Sequence, residues 1–455
     1  MKKKLKLPQE FRLFAPWEQA ADKILSPLEE FIQSQTASAL ALILMTIISL
    51  ILANSPWREV YHHFFEQELA ISLGSWRLSM SLHHWINDGL MAFFFFLVGL
   101  EIKREILVGE LSDFKAALLP VLAAVGGMLV PAFLYALVNW GKPTIGGWGI
   151  PMATDIAFAI SVLVLLGRRI PPALVTFFIA LAIVDDLGAV VVIAIFYTDS
   201  INLFPLLTAL GVWGLLWIFN RGGIHSAFPY FLGGVALWGL MLASGIHATI
   251  AGVLTALAIP TKPKIIPQHF DRVLERLLEA CRSIDPRERC VLNHDQKLVI
   301  NAVYTAAVDV QPPSLRMEHA LHLPVALLVI PLFALANAGV PLSGKALAGV
   351  FHHPVSLGII LGLVVGKALG IAGTAWLAIK LGLAPLPTGA RGIQLLGVGL
   401  LGGIGFTMSI FIAELAWPGQ EELLTQAKMG ILCASLLAGI LGYLWLRFFS
   451  PPPQD

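Results

Sequence analysis

Apolar stretches of about twenty residues recur along nearly the whole chain, separated by short polar or charged connections. A lipid-crossing helix needs roughly 20 mostly apolar residues. Twelve stretches meet that need, near 36–54, 83–102, 116–139, 147–167, 172–197, 202–219, 227–244, 246–260, 321–340, 355–380, 392–415 and 425–449. The 227–260 region must fold back at Ser244-Gly245 with almost no connection. Two segments depart from the pattern. In 69–82, Ser72, Ser79 and Ser81 alternate with Ile71, Leu73, Leu78, Met80 and Leu82 around Gly74-Ser75, which predicts a β-hairpin. Residues 261–320 are charged and predict a long loop with short amphipathic helices, an insert rather than a second domain.

Composition turns this pattern into a class. Hydrophobic residues make up 57% of the chain and charged residues 13%, against about 25% charged in soluble domains. The expectation is an all-α polytopic membrane protein. Lysine and arginine then orient it. With the N-terminus inside, inner segments hold 24 of the 30 basic residues, and outer segments hold only Arg58, Arg77, Lys142, Lys345 and Lys428. This predicts twelve spans with both ends in the cytoplasm: a tail over 1–35, a membrane domain over 36–449 and a tail over 450–455. The hairpin falls outside and the 261–320 loop inside.

Other classes recede. A net charge of +1 without basic tracts gives nucleic acid no footing. Cys281, Cys290 and Cys433 make no disulfide framework and match no zinc spacing. The basic MKKKLK start lacks the apolar core that follows it in a signal peptide.

Ionisable groups inside a bilayer are costly and mark function. Here they are Asp88, Glu101, Lys103, Arg104, Glu105, Asp155, Asp185, Asp186, His247, Lys367 and Glu414. The Asp185-Asp186 pair, in FFIALAIVDDLGAVVVIAIF, is the sharpest. Adjacent helical residues point about 100° apart, so one can face a cation cavity and the other a neighbouring helix. A carboxylate deprived of water needs a positive partner. A proton or a hard cation supplies it, and competition between the two is a chemical basis for exchange. Lys367 sits beside a Gly362, Gly366, Gly370 row that lets another backbone approach. An aspartate of the fifth span is its natural partner, as a structural bridge or as a proton carrier.

Two spans carry interruptions. Pro151 and Thr154-Asp155 disturb the fourth, and Gly402, Gly403 and Gly405 the eleventh. Each is the middle helix of a three-span unit, spans 3–5 and 10–12, and the units start on opposite sides. Interrupted spans in inverted repeats point to a transporter site. Asp155 would offset positive half-helix ends and Lys367 negative ones.

Long motifs now carry a resemblance. INDGLMAFFFFLVGLEIKRE (86–105), MATDIAFA (152–159), LAIVDDLGAVVVIAIFYT (181–198), SGIHATIAGV (244–253), EHALH (318–322), PLFALANAGV (331–340), VGKALGI (365–371) and GIGFTMSIFIAE (403–414) closely resemble the NhaA-type bacterial sodium/proton antiporters, from about 36 to 449. The resemblance implies twelve helices with interrupted helices 4 and 11. It also implies electrogenic exchange of two protons for one sodium or lithium ion across the bacterial inner membrane, without a cofactor, for sodium and pH homeostasis. By the same likeness Asp186 is the principal ion-binding carboxylate, Asp185 its proton-coupled neighbour and Lys367 the partner of Asp185. Thr154 and Asp155 belong to the charge balance of the interrupted helix. Glu101, Arg104, Glu105, Arg316, Glu318 and His319 match a cytoplasmic pH-sensing cluster, and His247 a histidine linked to pH response. The hairpin 69–82 matches a homodimer contact. The loop before Glu318 is longer than in the best-known members, by an insert at about 264–312.

Rival readings are a sodium-coupled symporter of an organic anion, an intramembrane aspartyl protease and a passive channel. The symporter needs more cationic groups than one midplane lysine, and the protease needs a motif that is not visible. The expectation is a transporter, not an enzyme.

Overall fold

The computed structural model describes residues 35–73, 76–198, 201–282, 294–342 and 349–450. Most of the expected 1–35 tail, the 451–455 end, the Gly74-Ser75 turn, the insert's 283–293 segment and Cys290 lie outside the described residues.

The chain enters as α1 (Gln35–Ala53) and turns through 113° into the amphipathic α2 (Arg58–Glu66), which buries Tyr61 and Phe65. The serine alternation then forms β1 (Glu68–Leu73) and β2 (Trp76–Ser81), antiparallel with Glu68 opposite Ser81 and Leu73 opposite Trp76. Helix α3 runs over 82–108, with a wider-wound turn at Trp85–Leu90. After α4 (Phe114–Val138) comes a 3₁₀ helix, α5 (Pro143–Met152), and after a 42° bend α6 (Ile156–Leu166). Helices α7 (Pro172–Phe196), α8 (Leu203–Arg221) and α9 (Ala227–Ser244) follow.

Gly245, at φ +82°, then reverses the chain. Only a residue without Cβ adopts that backbone freely. The reversal uses residues 246–249, and Pro260 follows soon after, so the expected span over 246–260 shrinks to α10 (Ile250–Ala258). Its nine residues reach about 13 Å, under half of a roughly 30 Å hydrocarbon layer.

The insert forms two helices, α11 (Pro267–Arg282) and α12 (His294–Asp309). Lys264 pairs with Asp309 at 3.1 Å where the insert leaves and rejoins the bundle. Helix α13 (Pro313–Asn337) starts ahead of the apolar stretch expected from 321. Its first turns, PSLRMEHALH, are too polar for hydropathy to register. Helix α14 (Pro354–Lys380), the bent pair α15 (Gly392–Gly402) and α16 (Phe406–Ala416), and α17 (Glu421–Phe449) complete the chain. The second bend is 48°.

Among the described residues seven helices are long and apolar enough to cross a membrane, and up to ten if each bent pair counts as one. The molecule is therefore an all-α, multi-pass membrane protein. Leu129, Phe133 and Leu137 on α4 and Phe204, Leu207 and Ile218 on α8 lie exposed. In water such faces would aggregate; in lipid they are the solvated surface. The glycine row of α14 packs on α4: a Cβ at Gly370 would run into the Gly126 carbonyl, and one at Gly366 would lie 2.7 Å from Pro131 Cα. That contact fixes Lys367 at the centre of the bundle.

Candidate functional site

The two bends meet. Chain 153–155, between α5 and α6, lies against 403–405, between α15 and α16, and the Asp155 N–H donates to the Ile404 carbonyl at 2.6 Å. Thr154 Oγ1 donates to the Gly402 carbonyl at 2.8 Å, and Ser409 Oγ to the Ile150 carbonyl at 2.8 Å. Backbone groups freed by one break are thus taken up by the other, which permits irregular backbone at membrane depth.

Asp155 is the hub. One carboxylate oxygen accepts from the Phe158 N–H at 3.1 Å, capping α6. The other accepts from Thr407 Oγ1 at 2.5 Å and from the Thr407 N–H at 3.2 Å, at the start of α16. One side chain therefore holds the N-terminal ends of α6 and α16, where positive partial charge collects. Thr407 was not singled out from sequence. A lone hydroxyl in an apolar run carries no signal until the partner helix is known.

Asp185 and Asp186 occupy the middle of α7, and Lys367 follows the wide turn Leu361–Gly366 of α14. Lys367 Nζ donates to Asp185 Oδ2 at 2.6 Å, and Thr154 lies beside the same aspartate. All three ionisable groups are buried, at 1%, 2% and 0% exposure for Asp185, Asp186 and Lys367. Among the described residues Asp186 takes no such direct partner: its Oδ2 has no hydrogen bond, and neither has Asp185 Oδ1. Two adjacent acids thus share one lysine, and the lysine touches only the first.

A second group gathers at the far end of α3. Arg104 donates to Glu318 of α13 at 2.5 Å and to Glu105 at 2.9 Å, and Glu105 also accepts from the Glu110 N–H at 3.1 Å. Glu101 is within electrostatic reach of Glu318, Arg104 and Glu105, and also of Asp186. His319 acts on Glu318 but is exposed, and Arg316 is exposed on the same helix. His247 lies apart from it. It bonds through Nε2 to the Tyr197 carbonyl at 2.6 Å, at the end of α7. Tyr197 in turn donates to the Gly146 carbonyl and accepts from the Gly149 N–H, both at 3.0 Å, so α7 is tied to α5. Lys103 binds the Leu257 carbonyl at 2.6 Å and also the Ile259 carbonyl, closing the end of α10.

A multi-pass helical bundle that sinks two acids and a lysine beside crossed chain breaks belongs to the class of membrane ion carriers. The particular family follows from comparison with known proteins. The model of the family described as Na+/H+ antiporter 1 matches residues 29–446. The chain is 55% identical over 439 residues to the Na(+)/H(+) antiporter NhaA of Sulfurimonas denitrificans, covering 96% of this chain and 99% of that one. It is 48% identical over 442 residues to Na(+)/H(+) antiporter NhaA 1 of Saccharophagus degradans, covering 97% and 95%. It is 46% identical over 437 residues to the NhaA antiporter of Dichelobacter nodosus, covering 96% and 94%. The chain belongs to the Na+/H+ antiporter 1 family.

Proposed function

We propose that this protein exchanges sodium, or lithium, for protons across the bacterial inner membrane, and that Asp186 is the carboxylate for which the two cations compete. One observation carries the reading. Lys367 contacts Asp185, whereas Asp186, equally buried, has no ion pair among the described residues, and Asp185 Oδ1 and Asp186 Oδ2 both lack a hydrogen bond there. A second positive charge balances the pair, and a proton and a hard cation are alternative suppliers. Asp185 is the proton-coupled neighbour. Sodium displaces the proton from Asp186 and takes Asp185 from Lys367, which then loses its counter-charge and gives up a second proton; two protons for one ion make the exchange electrogenic. No cofactor enters.

The architecture that supports this reading has twelve spans. To the seven long helices and three bent pairs we add α3, whose inner end is too charged to score as apolar, and the short α10 with its flanking turn. The unit α4–α7 and the unit α14–α17 then run in opposite directions, each with its broken helix in the middle. Thr154 and Asp155 balance the half-helix ends. Both termini face the cytoplasm, with tails over 1–35 and 450–455 around a membrane domain over 36–449. The group Glu101, Arg104, Glu105, Glu318 and His319, with Arg316 nearby, sets the pH response at the cytoplasmic face, and His247 contributes from the outer side. The hairpin leaves Leu69 and Ile71 exposed, and two copies pair through it to form a homodimer.

The test is sodium-driven dequenching of a pH-sensitive dye in everted vesicles. Asp186→Asn abolishes the signal while the protein still inserts and folds. Retained exchange in that variant overturns the site.

A further inference from the structure

One buried ionisable cluster is used by none of this. At the outer end of the bundle, Glu414 near the end of α16 pairs with Lys428 of α17 at 2.5 Å, and the two side chains are only 12% and 13% exposed. The ring of His83, at the start of α3, stands between two partners. Its Nε2 is 2.9 Å from Asn337 Oδ1 of α13 and 4.0 Å from Glu414 Oε1. The first is a hydrogen bond. The second is an ion pair only when the ring is protonated. Asn337 is held in turn, with its amide donating to Asn87 Oδ1 at 2.8 Å and to the Phe333 carbonyl at 3.0 Å. Four helices, α3, α13, α16 and α17, converge on one imidazole.

We propose that His83 is a proton-operated latch on the outer half of the broken helix, giving the exchanger a response to pH on the outer side separate from that of the cytoplasmic cluster. The neutral ring is satisfied by Asn337 and leaves Glu414 to Lys428. The protonated ring adds a second cation to the Glu414 carboxylate and clamps α16 to α3. Because the first turn of α16 is held through Thr407 on Asp155, a clamp at one end of this eleven-residue helix restrains the crossing at the other. A rigid helix transmits displacement along its length, and packed interfaces switch between discrete arrangements.

The groups facing the ring limit what else could act. Glu414 faces it from α16, Lys428 from α17 and Asn337 from α13. On its own helix His84 is adjacent and is engaged with Asp88 at 2.9 Å. Helix α2 packs alongside with Tyr61 and Phe65 turned inward and its charged side chains exposed. Tyr61 is occupied by Ser49 at 2.9 Å and by the Leu335 carbonyl at 2.7 Å. Imidazole is the side chain whose ordinary titration falls between about pH 5 and 8, so it is the switching element of the cluster.

The proposal rests on the antiport reading and on the outward placement of this end. The experiment measures isotopic sodium-for-sodium exchange in right-side-out vesicles with equal sodium on both sides, so that the imposed pH difference is the same driving force for every variant. The inner pH is held fixed and the outer pH is lowered from about 8 to about 5, spanning the range over which imidazole switches charge. Competition by protons at the aspartates slows every variant that keeps them, so the comparison is between variants. Wild type slows further than His83→Gln, by about fivefold or more if the coupling has the usual size. His83→Lys is slow throughout. Glu414→Gln, which removes the anion, loses the extra slowing and matches His83→Gln, an arm that serves if the lysine variant does not insert. If His83→Gln and Glu414→Gln both follow the wild-type curve, the latch is wrong while the antiport reading stands. If Asp186→Asn vesicles exchange sodium as well as wild type, the antiport site itself is wrong.

Discussion

Lys367 and Arg104 hold their carboxylates at nearly the same distance, 2.6 Å to Asp185 and 2.5 Å to Glu318. Their surroundings differ entirely. Neither Lys367 nor Asp185 meets solvent, at 0% and 1% exposure, whereas the Arg104 side chain is 41% exposed. A pair of unit charges about 4 Å apart is worth about 1 kcal/mol in water and about 4 kcal/mol at the effective dielectric of a protein. The dry pair is therefore stiff and hard to break, and breaking it strands a charge. The wet pair rearranges readily with pH and salt. Strength belongs at the exchange site and responsiveness at the rim, and the same chemical contact supplies either according to depth.

The largest effect is expected from removing the dry cation. Lys367→Ala leaves the Asp185-Asp186 pair with no positive partner among the described contacts. Breaking a buried pair by deleting one member costs about 3–5 kcal/mol. Thermal melting of the purified protein in detergent should fall by many degrees, and the pH profile of exchange should move. An unchanged melting point with an unchanged profile would show that Lys367 is not the partner of the acids.

A neutral contact at the same depth separates the role of charge from that of dryness. Thr407→Val keeps the volume at the crossing but deletes the hydroxyl that reaches Asp155 at 2.5 Å, while the Thr407 and Phe158 N–H donors remain. Losing one donor to a buried acceptor costs about 1–3 kcal/mol. The melting point should drop less than for Lys367→Ala, and Thr407→Ser should restore most of it. A loss as large as that of Lys367→Ala would mean that Asp155, rather than the lysine, dominates the centre.

Much of this arrangement was legible in the chain and some was not, for physical reasons. Hydrocarbon demands long apolar runs, so the helices could be placed from hydropathy, and it penalises charge, so Asp155, Asp185, Asp186 and Lys367 stood out against their neighbours. The helix that receives the Gly362, Gly366, Gly370 row was not readable, because Gly126 and Pro131 look like any small residues of an apolar run. The contact of Thr407 with Asp155 spans 252 positions, and the pairing of Glu414 with Lys428 joins consecutive helices that only packing brings side to side. The start of α13 at Pro313 escaped because its first turns are polar. The shortness of α10 escaped because apolar composition does not reveal how many residues a reversal consumes.

The smallest effect falls at the wet end of the comparison. Arg104→Gln removes the cation that Glu105 and Glu318 share, in a site where that cation is 41% exposed. Exposed and half-exposed pairs are worth about 0–1 kcal/mol, so the melting point should shift by little, and less still in high salt, which screens such pairs. The functional consequence is separable from the energetic one. Glu101, Glu105 and Glu318 lose the positive charge that offsets them, and Glu101 is also within electrostatic reach of Asp186. Glu318, which Arg104 holds toward its charged form, then binds a proton more readily than before, so a step that requires it deprotonated needs a higher pH. The pH at which exchange switches on, read by dye dequenching in everted vesicles, should move upward with the maximal rate largely kept. A large melting shift without a change in that pH would reverse the assignment and make Arg104, like Lys367, a structural cation.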